Sequence, residues 1–164
     1  MLRWVGLVAR LLVGGVWIAA GVIKLPHPEA SVAAVRAYQL LPLSTTNFVG
    51  HLLPIVEVLI GVVLVLGVLV RLGGVLSALL QLAFIIGISS VWARGIPIDC
   101  GCFGNGGATS WAHAKATYPW EIARDVGLFL VSAYMVVRPR TVLALDNLLF
   151  PPLEKGTPHV QEQP

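Results

Sequence analysis

Two thiols one residue apart, in a chain with no other cysteine, set the first chemical question. Cys100-Gly101-Cys102 lies in the polar, glycine-rich stretch Ile96-Pro97-Ile98-Asp99-Cys100-Gly101-Cys102-Phe103-Gly104, a break between apolar runs where the pair is expected to be exposed. The spacing lets the sulfurs bond, but the ring is tight, and strain makes a disulfide easier to reduce. Gly101 relaxes the backbone between them. Four readings stay open: a dithiol that cycles with a disulfide at an oxidising potential, a static structural disulfide, two free thiols packed under a loop, or metal ligation. Two sulfurs alone leave a metal site incomplete, and His113 in the same loop reads more simply as a solvated side chain than as a third ligand. Arg94 and Lys115 flank the pair and favour a thiolate, which Asp99 opposes.

A second group of chemically capable residues lies inside apolar runs. Glu57 falls about ten residues into its run, which at 1.5 Å per residue puts it ~15 Å deep, near a bilayer midplane. A carboxylate there must face other helices and find a partner or a proton. Arg10 is the first candidate partner and Arg124 the second, with Glu121 and Asp125 beside Arg124 and Gln81 adding a polar group at depth. Arg10, Glu57, Arg124 and Asp125 therefore read either as a structural charge knot or as a proton path or cofactor pocket.

The elements that must hold these groups are membrane helices. Hydrophobic residues make up 57% of the 164 and charged residues 12%, about half the share in an average soluble domain. The net charge of +3, without a basic patch interleaved with aromatics, points away from nucleic acid. Four runs approach the ~20 residues that cross a bilayer: Trp4 to Val22, Phe48 to Leu69, Leu72 to Trp92 and, shorter and charged at its start, Trp120 to Val137. Helix is required, because an open strand strands its backbone groups in lipid. The first run has a signal-peptide flavour at Ala19-Ala20, but Arg10 interrupts it, and it reads as a retained span. Gly14, Gly15, Gly61, Gly67, Gly73, Gly74 and Gly87 are expected to let helices approach closely.

The expected architecture is an all-α membrane protein: a four-helix transmembrane bundle over residues 1–140, with a short interfacial helix between Pro28 and Pro42, and a flexible cytoplasmic tail over 141–164. Arg3, Arg71, Arg138 and Arg140 against Lys24, Arg36, Arg94 and Lys115 give a weak bias. It favours both termini in the cytoplasm and the cysteine loop on the extracytoplasmic side of the plasma membrane, where disulfides persist.

These residues together resemble the DoxX/MauE group of small four-helix membrane proteins, and the methylamine-utilisation MauE branch most. The resemblance rests on Arg10, Ala20-Gly21-Val22-Ile23-Lys24-Leu25, Tyr38-Gln39-Leu40-Leu41-Pro42, Leu53-Pro54 with Glu57, and Leu66-Gly67 with Arg71. It continues through Arg94-Gly95, Cys100-Gly101-Cys102-Phe103-Gly104, Trp120 and Arg124-Asp125, and covers about residues 5–138. It implies a plasma-membrane protein tied to maturation of methylamine dehydrogenase, exchanging electrons between Cys100–Cys102 and an extracytoplasmic thioredoxin-like partner. A quinone is the cofactor such a role suggests. Quinone-coupled disulfide-forming proteins usually carry a second, relaying cysteine pair, which this chain lacks. Two other roles stand beside exchange: an anchoring or assembly subunit of a membrane oxidoreductase complex, and a small-molecule carrier with Glu57 in its path.

Overall fold

A computed structural model describes residues 2–102 and 106–138. Its helices are α1 (Leu2–Lys24), α2 (Pro28–Ala37), α3 (Leu43–Leu66), α4 (Val70–Ala93) and α5 (Trp111–Val137); two three-residue strands, β1 (Ile98–Cys100) and β2 (Gly106–Ala108), lie between α4 and α5. The tail at 141–164, Arg140, Phe103 and Gly104 fall outside the described residues.

Local chemistry explains the breaks. Pro26 follows the end of α1, and Pro28 opens α2, where its missing N–H costs nothing. Glu29 in the first turn and Arg36 in the last complement the α2 dipole. Gly67, in the left-handed conformation at φ 70°, caps α3 and turns the chain within three residues into α4. Ser110 caps α5, its side chain accepting from the His113 N–H at 3.3 Å. That cap starts α5 nine residues before the expected Trp120, because Trp111–Tyr118 is amphipathic rather than apolar. Ala114 and Tyr118 are buried there, beneath the hairpin.

Three helices, α1, α3 and α4, are long and apolar enough to cross a membrane. The expected fourth span is a 27-residue helix whose first fifteen residues carry Lys115, Glu121, Arg124 and Asp125. Its buried positions, Ala114, Tyr118, Glu121, Asp125, Leu128, Ser132 and Met135, recur every three or four residues and form one inward stripe. The outward side presents Trp120, Val126, Leu130 and Val137.

The bundle is built as two close pairs, α1 with α3 and α4 with α5; α3 meets α4, and α1 meets α5, over smaller faces. In the first pair the backbones nearly touch: a Cβ on Gly14 would lie 2.9 Å from Gly61 O, and one on Gly61 2.7 Å from Gly14 O. Gly73, Gly74 and Gly87 are close-packed as expected, whereas Gly15 faces open space. One apolar core (Val13, Trp17, Leu64, Val70, Leu128, Met135) draws on all four long helices. A second (Ile88, Val91, Ile98, Cys100, Cys102, Ala114, Tyr118) sits at the end where α4 finishes and α5 begins.

The loop carrying the cysteines is an antiparallel hairpin with Ile98 opposite Ala108 and Cys100 opposite Gly106. The short helix α2 does cover the bundle, packing on α3 and on both strands.

Candidate functional site

Cys100 ends β1 and Cys102 begins the turn after it. Both are free thiols, and the expectation that they are exposed is overturned: they are 6% and 7% accessible. The cause is the cap. Gly101, at φ +69°, brings the hairpin against Ala34 of α2, where an added Cβ would lie 2.7 Å from the Ala34 Cβ. Tyr38, just past α2, donates its hydroxyl to Cys100 O at 3.1 Å. From α5, Tyr118 accepts from the Ile98 N–H at 2.9 Å and donates to Ile96 O at 2.8 Å, fastening the strand from below. Arg94 donates to Tyr38 O and Ser90 O, so it serves the cap rather than the sulfurs. Lys115 is on an exposed face.

Around the sulfurs the polar groups are specific. The Cys102 N–H donates to Cys100 Sγ at 3.3 Å. The Glu121 carboxyl lies within 4.8 Å of the Cys100 sulfur, and its Oε2 is buried without a hydrogen-bond partner. The Cys100 thiol is pushed well above the usual thiol range, first by the Cys102 side chain, then by burial and by the acidic Glu121 beside it. Burial, then the two nearby sulfurs, pushes Tyr38 up in the same direction. One donor atom each from Asp99, Cys100 and Glu121 lie within 4.8 Å of one another, a set that reaches the four ligands of a closed zinc site only with Cys102 added.

Cys102 also lines an internal cavity of about 20 Å³ with Lys24, Glu57, Gln81, Phe84, Arg124 and Asp125. That is room for one water, against the ~150 Å³ that admits benzene. Two larger hollows are surface grooves: 520 Å³ between α2, α3 and β2, and 270 Å³ lined by Val5, Ala9, Leu130, Val131 and Tyr134 at the other end of the bundle.

The buried charges pair differently from expectation. Glu57, wholly buried, bonds Lys24 Nζ through Oε1 at 2.6 Å. Arg10 precedes Lys24 by about 21 Å of helix, is buried, and has an interaction of its own. Arg124 bonds Asp125 Oδ1 at 2.9–3.0 Å, so it too is not the bonded partner of Glu57. The depth estimate shifts for the same reason. The first turns of α3 rise past α1 to pack on α2, Gly50 against Val32, so Glu57 lies level with the last residue of α1. In the sequence Lys24 reads only as a charge near a span end. Its place as the last residue of α1, one turn after Gly21, was the available signal. A further polar chain links Trp17 Nε1 to Ser77 Oγ at 2.7 Å and Ser77 to Ser132 at 2.9 Å.

This cluster and its cap fall within the region, residues 2–138, that matches the family described as methylamine utilisation protein MauE. The chain belongs to the MauE family. A MauE-family relative, the methylamine utilization protein MauE of Paracoccus denitrificans, is 36% identical over 98 residues, 59% of this chain. The aligned part is 53% of that relative, so the match spans about half its length. No solved structure matches the chain. The apolar helices and the family together make this MauE-family chain a multi-pass membrane protein.

Proposed function

We propose that this protein passes electrons between its Cys100–Cys102 pair and an extracytoplasmic thioredoxin-like protein, in support of maturation of a secreted enzyme; the family name suggests methylamine utilisation as the setting. The observation that carries the reading is the pair itself: two free thiols one residue apart on a hairpin, one beside the Glu121 carboxyl, the other on a chamber with Lys24, Arg124 and Asp125. Disulfide exchange needs a second thiol within reach to resolve the mixed disulfide, and this hairpin holds one there. In this reading α5 is the fourth span, with its charges turned inward and Trp120, Leu130 and Val137 turned to lipid. Both termini are then cytoplasmic and the hairpin extracytoplasmic. In this reading the electrons pass through the partner, which supplies the second, relaying thiol pair that this chain lacks.

The burial of both sulfurs favours a second reading, an anchoring or assembly subunit of a membrane oxidoreductase complex in which the thiols only pack. Trapping separates the two. Cys100→Ser and Cys102→Ser should each abolish maturation of the partner enzyme, and one should accumulate a reductant-sensitive adduct with a thioredoxin-like protein. Full maturation with the double serine variant would leave the assembly role.

A further inference from the structure

The two sulfurs have different surroundings. Cys102 shares its chamber with two cations, Lys24 and Arg124, each already paired to a carboxylate. Cys100 faces acids: one carboxylate oxygen each from Glu121 and Asp99 lies within 4.8 Å of its sulfur. Neighbouring cations favour a thiolate and neighbouring carboxylates a thiol. Among the described residues, the Cys102 N–H is aimed at Cys100 Sγ and is outweighed by that acidic side. Tyr38 and Tyr118, the other titratable groups packed here, are hydroxyls engaged with backbone carbonyls. Glu121 keeps a buried oxygen, Oε2, with no hydrogen-bond partner, so it has a place for a proton.

We propose that Cys102 is the sulfur that exchanges with the partner, that Cys100 closes the internal disulfide, and that Glu121 takes the Cys100 proton as it does so. This rests on the exchange reading above. In the first step the Cys102 thiolate attacks a partner disulfide. One partner sulfur bonds Cys102, and the other leaves and takes up the proton that Cys102 gave away. In the second step Cys100 passes its proton to Glu121 and its sulfur attacks Cys102 Sγ. The bond from Cys102 to the partner breaks, and the Cys100–Cys102 disulfide forms. Two electrons have moved to the partner, and Glu121 yields its proton to the departing thiolate. In reverse, a partner thiolate attacks Cys102 and Glu121 protonates Cys100 as it leaves.

The test uses the reduced full-length protein in detergent and dithiobis(nitrobenzoate) as the disulfide. Each attack releases one coloured thiolate, so mixed-disulfide formation and ring closure appear as two phases. Cys100→Ser should react at the unmodified first-phase rate and stop at a stable adduct, whereas Cys102→Ser should react roughly tenfold more slowly. Glu121→Gln should leave the first phase intact and slow the second by roughly a hundredfold, the lower range for a general base. Glu121→Asp, which keeps a carboxylate at a longer reach, should fall between, and it carries the test if the glutamine variant does not fold. Equal or reversed reactivity of the two single-serine variants, or a second phase indifferent to both Glu121 variants, overturns the assignment while exchange survives. If neither thiol reacts until the protein is denatured, the exchange reading fails as well.

Discussion

Removing either end of the Lys24–Glu57 pair should destabilise the bundle far more than removing both. Nζ and Oε1 are 2.6 Å apart and the side chains are 4% and 0% exposed. At an effective dielectric of about 20 the attraction is about 6 kcal/mol. Taking two charges out of water costs several kcal/mol for each ion, so the intact pair nets close to zero. A single replacement, Glu57→Leu or Lys24→Met, deletes the attraction and leaves one desolvation cost standing, a loss of about 3–5 kcal/mol. The double variant deletes all the terms and should return to within about 1 kcal/mol of the original protein, or exceed it. The measurement is unfolding in detergent by a dodecyl sulfate titration, followed by helical circular dichroism, for all four corners of the cycle. Singles that unfold like the parent would mean that neither charge is stranded. A double variant as weak as the worse single would mean that the two side chains act separately. Either result refutes the argument.

Two further outcomes follow from the cap. Gly101→Ala meets both a left-handed backbone and the Ala34 Cβ at 2.7 Å; it should cost about 1–2 kcal/mol from conformation alone, and Ala34→Gly should relieve only the remaining, steric part in the same titration. Because the Cys100 thiol is raised in the fold, its contribution to stability is whole below the unfolded thiol value of about 8.5 and fades as pH rises above it. Between about pH 8.5 and 10, Cys100→Ser should flatten that decline in the reduced protein, while above about 10 Tyr38, also raised, adds its own.

Helix positions were legible where apolarity alone decides them, as for α1, α3 and α4. They were not where burial is one-sided. The first turns of α5 mix His113 and Lys115 with Ala114 and Tyr118, so the apolar run starts too late to mark the helix. The hairpin was invisible because β2 is only Gly106, Gly107 and Ala108, with one methyl group and no side chain large enough to show an alternation. The cysteines, Glu57, Arg124 and Asp125 stood out as chemically costly or reactive residues, and four of those five line the same cavity or bond within it. Their partners did not stand out. Pairing depends on how α1 and α3 stagger, and that is set by contacts such as Gly21 against Pro54 O rather than by distance along the chain.

The division into two helix pairs bears on how such a protein can move. Each ion pair is internal to one half: Lys24–Glu57 belongs to α1 and α3, Arg124–Asp125 to α5 alone. Phe84 meets Trp17 and lies beneath Lys24 across the seam, and Trp17 hydrogen-bonds Ser77 there. Rocking one half against the other therefore disturbs aromatic contact and neutral hydrogen bonds at that level while both ion pairs stay whole. The chamber beside Cys102 lies on that seam, so such a motion changes its width.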